Sequence, residues 1–201
     1  GSVSNGSIVG GASAVSNLTV DQDTFTEFNG SIGGAGTNQD NVGLIKDGVG
    51  TLTLSGSNLS YVGQTTVLGG RLNITGGQAA ALRTSSVRVG AGAILNLNNT
   101  VGQAIDLGAG VLDLGAGSVG AASLGFDIGG PTAYDRISTS SQALAANRVV
   151  INLTGLTGLT VGSYDLITAA GGLGAATFSL GNLRTFGGHT FSLARTPTAV
   201  T

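Results

Sequence analysis

Apolar and polar residues alternate along this chain in short runs. In "TLTLS" (51–55), Leu52 and Leu54 face one way and Thr51, Thr53 and Ser55 the other. "RLNIT" (71–75) sets Leu72 and Ile74 against Arg71, Asn73 and Thr75. "SVRVG" (86–90), "AILNLN" (93–98) and "AIDLG" (104–108) continue the pattern with Val87 and Val89, Leu95 and Leu97, and Ile105 and Leu107. A period of two over such runs predicts strands with one buried face. The Ala-rich "SQALAANR" (141–148) is the one short stretch that reads as helix. Glycine separates the strands, as at Gly48 and Gly50, Gly56, Gly63, and Gly69 and Gly70. It supplies the positive φ of a sharp corner. Comparable strands begin near Thr51, Arg71, Ala93 and Val111, a spacing of about 20 residues and within the range of solenoids. A chain that turns at each glycine and returns at that interval stacks strand on strand, about 4.8 Å per rung. The expected fold is therefore all-β, a parallel β-helix with apolar columns inside and small polar residues outside.

From Ala121 the texture changes. "SLGFDI" (123–128), "NRVVINLTG" (147–155) and "HTFSLART" (189–196) are longer runs with less glycine, and six of the nine aromatic residues lie in this part. Three segments follow: N-terminal strands leading into the solenoid (1–43), a repeat region (44–120), and a C-terminal capping β unit or set of terminal repeats (121–201). End repeats must cover an otherwise exposed core.

Composition narrows the function classes. Glycine is 37 of 201 residues, but proline is only 2 and there is no G-X-Y period, which excludes collagen. Hydrophobic residues are 41% and charged residues 9%, the opposite of a disordered chain. The eight basic residues form no stripe, so no nucleic-acid partner is expected. No apolar run approaches the ~20 residues of a membrane-spanning helix, and no membrane insertion by this segment is expected. The absence of cysteine leans towards a bacterial exported protein. The start, "GSVSNGSIVGGASAV", lacks a basic signal-peptide region, which fits a mature form or an excised fragment.

The stretch "LIKDGVGTLTLSGSNLSYVGQTTVLGGRLNI" (44–74) resembles the autotransporter-associated β-strand repeat of bacterial surface-protein passengers. The residues that carry the resemblance are Lys46, Gly48, Gly50, Leu52, Leu54, Gly56, Tyr61, Gly63, Thr65, Gly70 and Leu72. "TFTEFNGSIGGAG" (24–36) and "SSVRVGAGAILNLNN" (85–99) are similar to its usual flanks, and "YDRIS" and "VGSYDLITAAGGL" to the stretch that closes such regions. The resemblance implies a right-handed parallel β-helix, export, and an extracellular or bacterial cell-surface location. It implies no catalytic residue and no cofactor. No long run of amphipathic membrane strands accompanies the repeat, in contrast to a full autotransporter with its barrel.

Candidate chemistry is sparse. "GAGSVG" (115–120) matches G-x-G-x-x-G after "VLDL", with Asp135 further on, but a dinucleotide site needs a helix at that point and glycines interrupt it. His189 is the only histidine, without a cysteine or second histidine to share a metal. It reads as a surface or strand-edge residue. "DQDTFTE" (21–27) gathers Asp21, Asp23 and Glu27 without the glycine-spaced repeat of a calcium β-roll, and reads as a solvated edge. Seven Asn-x-Ser/Thr triplets, at Asn5, Asn17, Asn29, Asn58, Asn73, Asn98 and Asn152, are possible glycan acceptors. They are better read as outward ladder positions rich in Asn and Thr. No catalytic, cofactor or metal residue is assigned.

Three roles fit. The first is a surface-displayed stalk or adhesive passenger, whose partner is a cell surface or a glycan. The second is a subunit that polymerises head to tail with itself into an extracellular filament, with "ASAVSNLTV" (12–20) pairing with a neighbour's edge. The third is a polysaccharide-acting β-helix enzyme, which needs carboxylates converging on one face. The ten acids are widely spread, which disfavours it.

Overall fold

The computed structural model describes residues 2–3, 6–76, 84–97, 100, 102–115, 119–182 and 184–201. Among these the chain is all-β, with one 3-10 turn at Leu173–Ala175 and no α-helix. The strands stack in parallel into a β-solenoid of about six turns. One face is an eight-stranded sheet running Ser2–Val3, Thr26–Phe28, Thr51–Leu54, Arg71–Ile74, Ile94–Asn96, Ala121–Ile128, Arg148–Gly155 and Thr177–Leu180. A second face holds six strands, from Ser16–Asp21 through Val42–Asp47, Thr65–Val67, Val87–Val89 and Leu112–Leu114 to Leu144–Ala145. A third begins with Ser7–Ile8 beside Ser31–Ile32 and is completed further down by Ala104–Asp106, Arg136–Ser138, Ile167–Thr168 and Ala199–Val200.

In-register parallel pairing sets like over like. On the eight-stranded face, Leu52, Leu72, Leu95, Leu124, Ile151 and Leu180 form one column. On the third face, Ile105, Ile137, Ile167 and Val200 form another. All but Leu180 are buried, and these columns meet as a continuous apolar core. A polar column runs beside them: the Asn73 amide donates to Thr53 Oγ1 at 3.2 Å, and the Asn96 amide to Asn73 Oδ1 at 3.3 Å. The next position is Gly125, because a Cβ there would stand 1.7 Å from Asn96 Oδ1.

Beyond Thr177–Leu180 the chain leaves the eight-stranded stack. Asn182 replaces a strand residue, its side chain accepting from Leu153 N at 2.8 Å and donating to Leu153 O at 2.9 Å. A hairpin, Thr185–Phe186 with His189–Thr190, follows. The chain then returns so that Ala199–Val200 pairs antiparallel with Ile167–Thr168. At the other end, Ser16–Asp21 is the outermost strand of its sheet.

Two expectations are corrected. The helix expected at 141–148 is a strand, Leu144–Ala145: Ala143 and Ala145 are buried, while Gln142 and Leu144 are exposed. Burial in a narrow rung overrides the helix propensity of alanine, and Asn147 at φ 58° turns the chain out of any helical path. The spacing also departs from uniformity. Thr51 lies against Arg71, Arg71 against Ile94 and Ile94 against Ser123, so the turn lengthens from 20 to 23 to 29 residues. The strand after Val111 therefore belongs to the six-stranded sheet, and Ala121–Ile128 continues the stack that passes through Thr51, Arg71 and Ala93.

Leu72→Ala is expected to lower the unfolding free energy by ~2–5 kcal/mol, because a fully packed column cannot collapse onto the void. The same truncation at exposed Val161 is expected to change it by under ~0.5 kcal/mol. Urea denaturation of both variants tests the contrast.

Candidate functional site

The residues of the 44–74 motif divide between core and corner. Leu52, Leu54 and Leu72 are buried on the eight-stranded face. Lys46 is fully buried and occupies a column otherwise made of Val20, Val67, Val89, Leu114 and Ala145. An interior ammonium must be answered by acceptors. Lys46 donates to the carbonyls of Asp47, of Gly48 at 2.9 Å and of Gly69 at 3.4 Å. It thereby ties the corner at 48–50 to the corner at 68–70 on the next rung. Burial pulls its pKa below the ordinary lysine value, and the carboxylates of Asp47, Asp21 and Asp23 oppose that pull. Gly48 makes this corner possible: its φ is 72°, and a Cβ would meet Gln22 O at 2.4 Å. Gly50 and Gly70 lie in the same corner on successive rungs, Gly56 follows the strand Thr51–Leu54, and Gly63 precedes Thr65–Val67.

Thr65 is the second polar residue in an apolar column, between Leu44 and Val87. Its neighbour is Tyr61, also fully buried. The Tyr61 hydroxyl lies 2.8 Å from Thr65 Oγ1, which donates to Thr84 Oγ1 at 3.0 Å. Thr84 in turn reaches the carbonyls of Gly63 at 2.8 Å and Ser86 at 2.9 Å. The chain of hydroxyls thus ends on backbone acceptors. Burial pushes the Tyr61 phenol up to about 12, and the Thr65 hydrogen bond partly opposes this. The polar atoms of this motif hold rungs together and face no open site.

The other candidates are placed apart. Residues 116–118 of the glycine pattern lie outside the described residues, and the strand Ala121–Ile128 stands where a dinucleotide-binding helix would have to begin. Asp21 ends a strand, Asp23 sits in the following turn, and the Glu27 carboxylate accepts from the Ser55 hydroxyl on the eight-stranded face. Among the described residues no group of three or more His, Asp or Glu converges. His189 lies half-buried in the hairpin, on the wall of a cavity of about 470 Å³ shared with Leu153, Tyr164, Leu166, Phe191 and Leu193. Tyr164 packs edge-on against Tyr134, with ring centroids 5.3 Å apart. Its hydroxyl lies 2.6 Å from Thr160 O and 3.1 Å from Gly129 O. It is therefore engaged with backbone and is not presented to His189 as an acid–base partner. Of the Asn-x-Ser/Thr triplets, Asn5 and Asn98 lie outside the described residues. Asn17, Asn29 and Asn58 are exposed, and Asn73 belongs to the polar column.

The carboxylates of Asp127 and Asp135 are buried, a placement that the sequence, which offered Asp135 only as the acid beyond the glycine pattern, did not suggest. Asp135 accepts from Gln103 N at 2.7 Å and from Asp127 N at 2.6 Å, and Asp127 accepts from Thr100 N at 2.8 Å. One acid thus staples segments from two successive turns of the solenoid at a single corner. Burial, with the nearby Asp127 carboxylate adding to it, raises the Asp135 carboxyl to about 8 against the pull of its two backbone donors. Nothing local in the sequence marks it as buried.

The family model described as Passenger-associated-transport-repeat matches residues 44–74. The matched stretch is the one whose Lys46 and Tyr61 networks bind successive rungs. No curated protein and no solved structure matches the chain. Among the described residues no helix is long and apolar enough to cross a membrane.

Lys46→Met keeps an unbranched side chain, one atom shorter, and removes the donor. It is expected to destabilise the fold by ~1–3 kcal/mol by leaving corner carbonyls unanswered, as read by chemical denaturation. Asp135 generates a pH dependence. Its folded value of about 8 exceeds the ordinary 3.8, so the folded chain keeps a proton that the unfolded chain releases. That stabilisation is complete below about pH 4 and is lost as the pH rises through about 8. Melting temperature followed by circular dichroism is expected to fall across this window, and Asp135→Asn is expected to flatten the fall.

Proposed function

We propose that this chain is a non-catalytic, surface-displayed β-solenoid that acts as a stalk or adhesive passenger segment outside the cell. The observation that carries the reading is the passenger-repeat match at 44–74, on a stretch that folds as successive rungs. The repeat's buried polar residues Lys46 and Thr65 support it, because they are engaged in holding rungs together. The outer wall offers mostly small polar side chains, which suits contact with a glycan or another surface without turnover. A rod whose core is continuous from rung to rung also suits extension away from a membrane.

Antibody against the chain is expected to label intact bacteria that carry its gene. Labelling only after permeabilisation would overturn surface display. Incubation with a panel of polysaccharides is expected to release no new reducing ends. Turnover that co-purifies with the chain and disappears in His189→Ala or Asp135→Asn would overturn the non-catalytic reading.

A further inference from the structure

The last rung of the eight-stranded face is cut short. Arg148–Gly155 pairs with Ala121–Ile128 along its whole length, whereas Thr177–Leu180 pairs only with Arg148–Ile151. Beyond Ile151 other groups take over. The Asn182 side chain holds the backbone of Leu153 through two hydrogen bonds. The ring of Phe186 lies over Gly155, where a Cβ would stand 2.1 Å from it. These contacts anchor the hairpin whose Gly188, His189 and Thr190 line the cavity of about 470 Å³.

The walls of that cavity are fixed by contacts outside the solenoid ladder. Phe191 N donates to Arg184 O at 2.8 Å, and Ala194 and Thr201 exchange two backbone hydrogen bonds, at 2.8 and 3.0 Å. On the opposite side the Tyr164 hydroxyl is held by Thr160 O and Gly129 O. The cavity is thus preformed, and its volume lies in the ~300–1,000 Å³ range of small-molecule sites.

The lining selects a chemical class. Leu153 and Leu166 are buried and give an apolar floor. Phe191 adds a half-buried ring, and Tyr164 offers its ring alone because its hydroxyl is already engaged. At the exposed mouth stand the hydroxyls of Ser163 and Thr190, with the His189 imidazole beside them. Among the described residues none of these three polar groups has a hydrogen-bond partner, and no charged side chain lines the cavity. A ligand that matches has an apolar face, hydrogen-bonding edges and no charge, which describes a pyranose ring. An alkyl chain would leave the polar groups of the mouth desolvated and unanswered. An anion would find no cation. Glycoside hydrolysis uses a pair of carboxylates, and among the described residues none lines the cavity, so a bound sugar is held without being cleaved.

We propose that this cavity binds a neutral saccharide through one or two pyranose rings. The site gives the adhesive form of the reading above a location and a ligand class, and it rests on that reading only for its biological setting. Binding by the purified chain and labelling of intact cells succeed or fail separately.

His189 is the only histidine, so its imidazole protons give a single NMR reporter on the cavity wall. Maltose, cellobiose, lactose and N,N′-diacetylchitobiose are titrated into the full chain, with glucuronic acid and hexanol as charged and apolar controls. At least one of the four disaccharides is expected to shift the His189 signals saturably at millimolar concentration or below, and both controls are expected to bind more weakly. Gly162→Trp blocks the mouth: a Cβ at this position meets nothing within 4 Å, and the backbone there is outside the left-handed region. It is expected to weaken saccharide binding by ~10-fold or more with an unchanged circular dichroism spectrum. Phe191→Ala is expected to weaken it by a factor of ~10 through loss of the ring. His189 signals that none of the four disaccharides moves would overturn the proposal. So would tighter saturation by hexanol or glucuronic acid, or a folded Gly162→Trp chain that binds the saccharide as tightly as the parent.

Discussion

In-register parallel stacking is the constraint from which the rest of this structure follows. Each side chain has its counterpart one rung above and one rung below as nearest neighbours, so a column must be of one kind or each exception must be answered. Leu52 to Leu180 is a column of one kind. Lys46 and Thr65 are exceptions, and both are answered: the ammonium by corner carbonyls of two rungs, the hydroxyl by Tyr61 and Thr84. Burying these polar groups without such partners would cost several kcal/mol each. A polar residue inside a solenoid is therefore informative about which rungs it binds.

The same constraint shapes the outside. A corner that must pass within 2.4 Å of where a Cβ would sit, as Gly48 does against Gln22 O, leaves little room for chemistry on that residue. Its neighbours in the turn point outward. Val49 is one of these, and its exposure is a consequence of a tight corner on either side.

A passenger repeat within an all-β solenoid makes functional sense on these terms. The buried polar groups of Lys46 and Thr65 are directed at neighbouring rungs, and the buried acids at 127 and 135 at a corner. The two ends of the described structure are unlike: one carries the antiparallel strand Ala199–Val200, and at the other Ser16–Asp21 is the outermost described strand of its sheet.

The local alternation of "TLTLS", "RLNIT" and "SVRVG" determined the strands and their buried faces, because a period of two depends only on adjacent residues. Glycine placement likewise determined the corners around 48–50 and 69–70, through the φ and close approach that only glycine tolerates. Tertiary structure decided which strand stacks on which. Rung length varies, so Val111 joined a different sheet from Ala93, and no local pattern reports a pairing some 20 to 30 residues away. It also decided that Ala143 and Ala145 would be buried at the short strand Leu144–Ala145, since a narrow rung selects small side chains whatever their helical preference. Asp135 became a buried staple for the same reason: its partners are the backbone of Gln103 and Asp127, and only folding brings them within reach of one carboxyl group.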